Sequence, residues 1–312
     1  MSNLQICTNA VLPMFIYIVI GAVIRRTGMM NESENRRFNK ILFAFFYPVL
    51  MFDNIYSADF ASVFDAGLII FALSFVAVSV LVITAAVVRI EKNDASRGAM
   101  IQAIYRSNFV LMGVLIVQNI FGKEGLPTAT MLFTFVVPFF NFIAVVVLEH
   151  FRGGRADIGA VAVNVMKNPL ILGAASGIVV SLMGIALPGT VQNVIGGIAD
   201  ATTPVALIIL GAAFDPEVLT SKGRNIIICV AGRLVIVPMI GLPIAAAMGF
   251  RGPAFVSLLV MMASPTAVSS FPMAVSMDSD GEIAGSAVMI STPLACLTLF
   301  LWLFIFKTLG IY

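Results

Sequence analysis

Long apolar runs alternate with short polar or glycine-bearing breaks from one end of the chain to the other. Ten runs stand out, at about 9–27, 38–57, 64–89, 98–121, 126–149, 167–186, 189–213, 223–249, 252–276 and 282–306. Each is long enough, at about 1.5 Å per helical residue, to cross roughly 30 Å of hydrocarbon. The pattern predicts ten transmembrane helices with no soluble domain between them. The longest polar connector, about 151–167, falls at the middle.

The glycines and prolines repeat at an offset of 156, half of the 312 residues. Pro13, Gly21, Gly28, Pro48, Gly67 and Gly125 correspond in this way to Pro169, Gly177, Gly184, Pro204, Gly223 and Gly281. Weak internal symmetry in a membrane protein is the mark of a secondary transporter, and it directs attention to matching interrupted helices in the two halves. Five spans per half is an odd number, so the second copy must enter the bilayer upside down. The predicted organisation is a first five-helix repeat over 1–150, a cytoplasmic connector over 151–166, and a second, inverted repeat over 167–312.

Composition agrees: 60% of residues are hydrophobic and 11% charged, far from the soluble norm. The net charge of +2 says little, but its distribution orients the chain. Of the 18 Lys and Arg, thirteen fall on one side of a ten-helix layout, among them Arg25, Arg26, Arg36, Arg37, Arg155 and Lys222. Three fall on the other side, Lys123, Arg251 and Lys307, and two, Arg106 and Arg233, lie inside apolar runs. The positive-inside rule then places both termini outside and the connector in the cytoplasm, in an inner or plasma membrane. The first run ends at Arg25-Arg26 with no basic residue before it, which reads as a retained helix. Cys7, Cys229 and Cys296 are isolated in apolar contexts and read as small hydrophobes. With one histidine, His150, and no HExxH or phosphate loop, no metal, cofactor or catalytic centre is expected, and nothing points to nucleic acid. Trp302, near the end of the last run, is expected as an interface anchor.

Polar residues concentrate in two runs. The fourth carries Gln102, Arg106, Ser107 and Asn108 near its middle, and a charge there costs about 2.5–3.5 kcal/mol. The ninth carries Ser264-Pro265-Thr266 and Ser269-Ser270-Phe271-Pro272. Its prolines remove backbone donors, and its hydroxyls can satisfy the freed groups. Either they only kink an ordinary helix, or both halves are interrupted in the same ordinal span. In the second case, crossing of the two breaks would bring two half-helix N-termini to one spot, suited to a carboxylate or another small anion. Asn108 is then a substrate ligand, a helix cap, or both. Ser264 and Thr266 are donors on the opposite side. Arg106 and Arg233 either read the substrate charge or pair internally with a carboxylate or with carbonyl ends. Asp200 either pairs with Arg233 or carries a proton for coupling.

The segments Arg106-Ser107-Asn108-Phe109-Val110-Leu111-Met112-Gly113, Asn168-Pro169-Leu170, Thr203-Pro204 through Gly211, and Ser264-Pro265-Thr266-Ala267 resemble, in order, the auxin efflux carrier family. That family includes bacterial malate and malonate permeases and the plant PIN-type auxin carriers. The resemblance implies a scaffold domain and a transport domain with crossed, broken helices four and nine. It also implies a homodimer and transport of an organic anion without ATP. The family's crossover asparagine maps to Asn108 and its second-crossover proline to Pro265. Half one departs from the family in having Ser107 before the asparagine and Leu115 where a later proline would fall, which implies a gentler or shifted break.

Together these expectations describe an all-α integral membrane protein that moves a small mono- or dicarboxylate by alternating access. The expected ligands are Gln102, Arg106, Ser107, Asn108, Arg233, Ser264, Pro265, Thr266, Ser269 and Ser270, with H+ or Na+ open as coupling ion. The rival readings are a cation or proton exchanger on the same architecture, which would need a carboxylate at the breaks, and a membrane sensor that binds without translocating. Only Tyr105, Phe109 and Phe271 flank the breaks as aromatics, which favours a small aliphatic anion over an indole.

Overall fold

The computed structural model describes residues 3–57, 65–152 and 158–312, so Arg155 of the connector lies outside the described residues, as does the side chain of Cys7. Its first half comprises α1 (Asn3–Arg26), α2 (Glu32–Ile41), α3 (Tyr47–Tyr56), α4 (Ala66–Ile90), α5 (Asp94–Tyr105), α6 (Phe109–Phe121) and α7 (Leu126–His150). The second comprises α8 (Ile158–Lys167), α9 (Pro169–Leu182), α10 (Gly189–Ala213), α11 (Val218–Ser221), α12 (Gly223–Ala231), α13 (Val237–Ala247), α14 (Gly252–Ala263), α15 (Ser270–Ser276) and α16 (Gly281–Thr308). Single π turns, Leu42–Phe46 and Gly232–Ile236, join α2 to α3 and α12 to α13. Among the described residues there is no strand.

The helices begin where the sequence offers a cap. Asn31 and Glu34 form a reciprocal capping box at α2, and Asp65, Asn93, Asn168 and Asp280 cap α4, α5, α9 and α16. Five helical stretches are long and apolar enough to cross a membrane: Ala66–Ile90, Met112–His150, Gly189–Ala213, Gly223–Ala247 and Gly281–Thr308. A sixth is the pair α8–α9, bent by 60° where Pro169 removes a donor and Asn168 starts a new helix. The protein is therefore an all-helical, multi-pass membrane protein. The fourth and ninth apolar runs are each split in two, α5 from α6 and α14 from α15, so neither forms one uninterrupted crossing helix. The second half of the polar connector is itself helical, as α8.

Lipid is as apolar as leucine, so close packing and hydrogen bonds hold these helices together. Glycines set the closest approaches. A Cβ on Gly21 of α1 would strike the Ile208 carbonyl of α10, and one on Gly177 of α9 would fall 2.9 Å from the Phe52 carbonyl of α3. Gly211 lies likewise against Ile18, and Gly173 against Pro48. The core lies elsewhere, around α5, α14 and α16. Every residue from Gly98 to Tyr105 and from Phe255 to Ala263 is buried. A helix apolar on all sides is a buried helix, and here α5 and α14, the segments that lead into the two breaks, are buried on every side over these residues.

Candidate functional site

The chain leaves helical geometry at Arg106–Asn108 and at Ser264–Ser269, and the two breaks meet. Ser107 and Thr266 form an isolated antiparallel bridge. The Asn108 N–H donates to the Pro265 carbonyl at 2.8 Å, and the Ala267 N–H donates to the Arg106 carbonyl at 3.1 Å. Two interruptions that would each strand backbone groups in an apolar interior thus satisfy one another.

The ends of the half-helices can be followed group by group. The last four carbonyls of α5 are all used. Gln102 accepts from the Arg106 N–H at 3.1 Å, and Ala103 from the Thr266 hydroxyl at 2.9 Å. Ile104 and Tyr105 accept from Arg233 Nη1 at 3.2 and 2.7 Å. At the end of α14, Val260 accepts from the Ser264 N–H at 3.0 Å, while Arg233 Nη2 donates to Met261 at 3.3 Å and also to Met262. Arg233, 0% exposed in its π turn, is thus bound to four carbonyls. Of the alternatives left by the sequence, this is the carbonyl-end geometry. The expected Asp200–Arg233 pair is not formed, because the guanidinium is held by the helix ends while Asp200 stands exposed on α10, within electrostatic reach of Asp53.

Arg106 is 3% exposed and holds a different neighbourhood. Its Nη1 lies 2.8 Å from Met273 Sδ, and its Nη2 donates to Asn141 Oδ1 of α7. Asn141 in turn donates to the Val137 carbonyl at 2.9 Å, and its Nδ2 lies 2.9 Å from Met51 Sδ. Tyr47 of α3 lies within electrostatic reach of this guanidinium, beside Ser269. No ion pair to Arg106 or Arg233 is formed among the described residues. A cation in so apolar a place, with neutral partners alone, leaves the site one positive charge in excess.

Asn108 sits at the start of α6 with φ −92° and ψ 53° and makes no side-chain cap. Its half-buried amide points toward α1, where Met14 Sδ, a weak acceptor, lies 4.0 Å away. Gln102 donates to the Ser270 carbonyl at 3.0 Å. Gln102 Oε1, Ser107 Oγ, Ser264 Oγ and Ser270 Oγ are buried without a hydrogen-bond partner. Thr266 differs from these: its hydroxyl is spent on Ala103, and its N–H on Ser291 Oγ at 3.1 Å. The structure therefore brings Gln102, Arg106, Ser107, Asn108, Ser264, Pro265, Thr266, Ser269 and Ser270 together around one backbone crossing. The α15 helix is only seven residues long, and the Ser270 N–H donates to Ala267 in the preceding turn. The N-terminal field expected from the second half is correspondingly weak, and α6 supplies the longer of the two dipoles.

Three contributors escaped the sequence reading: Tyr47, Asn141 and Asn39, which donates to the Pro272 carbonyl at 3.3 Å. Asn141 carried a signal, being the one amide in the apolar run 126–149. Trp302, expected at the interface, donates its indole N–H to the Leu234 carbonyl at 3.0 Å in the π turn of Arg233. Near the start of α15 lies a cavity of about 540 Å³, bounded by Arg25, Glu32 and Asn35 on one side and Phe271, Gly285 and Ser286 on the other.

Comparison with known proteins identifies the family of the chain. The family model described as membrane transport protein matches residues 6–162 and 158–303. The chain belongs to that family, the auxin efflux carrier family that its motifs resemble. It is also similar to an uncharacterized transporter of Methanothermobacter thermautotrophicus, with 23% identity over 302 residues, covering 95% of this chain and 97% of the relative.

Proposed function

We propose that this family member is a secondary transporter for a small organic anion, such as a mono- or dicarboxylate, working without ATP. The observation that carries this reading is the pair of breaks: a buried arginine without a carboxylate partner stands beside an unspent asparagine amide and several unpartnered hydroxyls. Such a set offers donors and a positive charge, and a carboxylate supplies what it lacks.

In this reading the chain makes ten spans as two inverted five-helix repeats, with spans four and nine crossed. The offset of 156 supports it in three dimensions. The Gly21–Ile208 approach becomes the Gly177–Phe52 approach when both residues move by that offset. Helices α1, α3, α9 and α10 then form the scaffold of a homodimer, and the remaining bundle carries the site past it. The cavity between Arg25 and Phe271 lies on the basic, cytoplasmic side, and both termini lie outside. Asp200 is the remaining candidate for a proton carrier. The absence of a carboxylate within 106–108 and 264–269 weighs against a cation exchanger.

The test is a melting screen of the purified protein against malonate, malate, succinate, acetate and indole acetate, followed by counterflow of the stabilising anions in proteoliposomes. Stabilisation by an aliphatic carboxylate with saturable flux supports the proposal. Stabilisation without flux on any gradient supports a sensor, and flux of cations alone supports an exchanger.

A further inference from the structure

Arg233 is asked to do more than fill a core. Each α-helix ends in unpaired carbonyls and about half a negative charge. Helices α5 and α14, twelve residues each, end beside one another at the crossing, which brings together roughly one negative charge. In broken-helix transporters such carbonyl ends are where a coupling metal cation binds. Here that place holds the Arg233 guanidinium, with two carbonyls from α5 and two from α14. Removing the charge would leave all four carbonyls buried and unpaired. The space left beside it is a cavity of about 10 Å³, lined by Tyr105, Met261, Met262 and Arg233 itself, which is room for about one water.

We infer that Arg233 is a resident cation of the crossing: a positioning residue that neutralises both facing helix ends and locks the breaks in register, in the place of a bound metal ion. Being tethered, it leaves no carbonyl cage for Na+ at this point. It also leaves the charge of Arg106 unneutralised by the crossing's own dipoles, available to an anion. The inference stands on the geometry of the helix ends and is independent of which anion is carried.

The experiment uses the full chain purified as wild type, Arg233→Lys and Arg233→Ala. Melting is followed in choline chloride, in NaCl, and with millimolar guanidinium chloride added. The wild type is expected to melt alike in choline and Na+. Arg233→Ala is expected to melt lower and to regain stability with guanidinium beyond any change that the wild type shows. Arg233→Lys is expected to lie between them, because an ammonium cannot span four carbonyls in a plane. The same additions to proteoliposomes give the readout that a merely structural residue would not move: guanidinium should restore malonate uptake to Arg233→Ala. Should that variant fail to fold, an Arg233→Lys protein that melts and transports like the wild type overturns the inference. So does a wild type stabilised specifically by Na+, or an Arg233→Ala protein indifferent to guanidinium. If the wild type takes up no malonate, the substrate reading fails while the melting comparison still decides the role of Arg233.

Discussion

The two breaks face one another and solve the same problem by different chemistry. The first is three residues long, Arg106 to Asn108, and contains no proline. It stays open because the last carbonyls of α5, just before it, are claimed from outside, by Arg233 and by Thr266. The second is six residues long, Ser264 to Ser269, and is opened from within by Pro265. The consequence lies in what each has to spare. The first break retains an amide and a cation whose partners are neutral or weak, while the second retains small hydroxyls and gives its threonine to the backbone. Whatever symmetry relates the halves, the unspent amide and the cation without an acidic partner belong to the first.

The sharpest way to break this comparison is at Arg106. Arg106→Met should abolish anion uptake and strand Asn141 Oδ1, destabilising the fold by about 1–3 kcal/mol. Restoring the melting temperature with the added change Asn141→Leu, while uptake stays lost, would separate the structural effect from the functional one. The next largest effect sets hydroxyl against hydroxyl. Thr266→Val removes a bond to a buried carbonyl and should cost about 1 kcal/mol. Ser264→Ala and Ser107→Ala remove oxygens without partners and should leave the melting temperature nearly unchanged while weakening the apparent affinity for the anion. Equal losses of stability in all three would erase the distinction drawn between them.

The smallest effect lies outside the bilayer, where Glu91 joins the halves. Its carboxylate accepts from the N–H groups of Asn93 and Lys92 at 2.9 and 2.7 Å and from Asn225 Nδ2 at 2.5 Å. The Asn93 N–H and, to a lesser degree, the Asn225 amide, the Lys92 N–H and the charge of Arg97 outweigh burial and hold this group below the usual carboxylate range. A depressed carboxylate contributes stability above its unfolded pKa and loses it as pH falls through the folded one. Melting temperature should therefore drop slightly more on acidification below the usual carboxylate range in the wild type than in Glu91→Gln.

Much of this was legible in the sequence because hydrocarbon is an unforgiving solvent. The apolar runs located α4, α7, α10 and α16 to within a few residues, the ninth run gave the start of α14 but not its end at Ala263, and polar clusters at mid-run marked both breaks. The 156-residue offset paired Gly21 with Gly177, and each glycine lies at a close helix approach, which the offset by itself did not specify. What could not be read was which long side chain would satisfy which carbonyl. Arg233 lies far in sequence from Tyr105, and only the packing of α12–α13 against α5 brings them together. The π turns that aim Arg233 and flank Tyr47 have no composition signal. The ninth run looked the richer in donors, yet folding spent Thr266 on the backbone and left α15 too short to offer much field.

Asn108 is the central residue of the proposed site: its amide faces α1, where Met14 Sδ lies 4.0 Å away. The deciding measurement is uptake of radiolabelled malonate by proteoliposomes holding wild type or Asn108→Ala at matched melting temperature and oligomeric state. An amide contact with a carboxylate is worth about 1.5–3 kcal/mol, so uptake at low substrate should fall about 10- to 100-fold in the variant. Wild-type uptake with an unchanged rate in Asn108→Ala would contradict the assignment of the site.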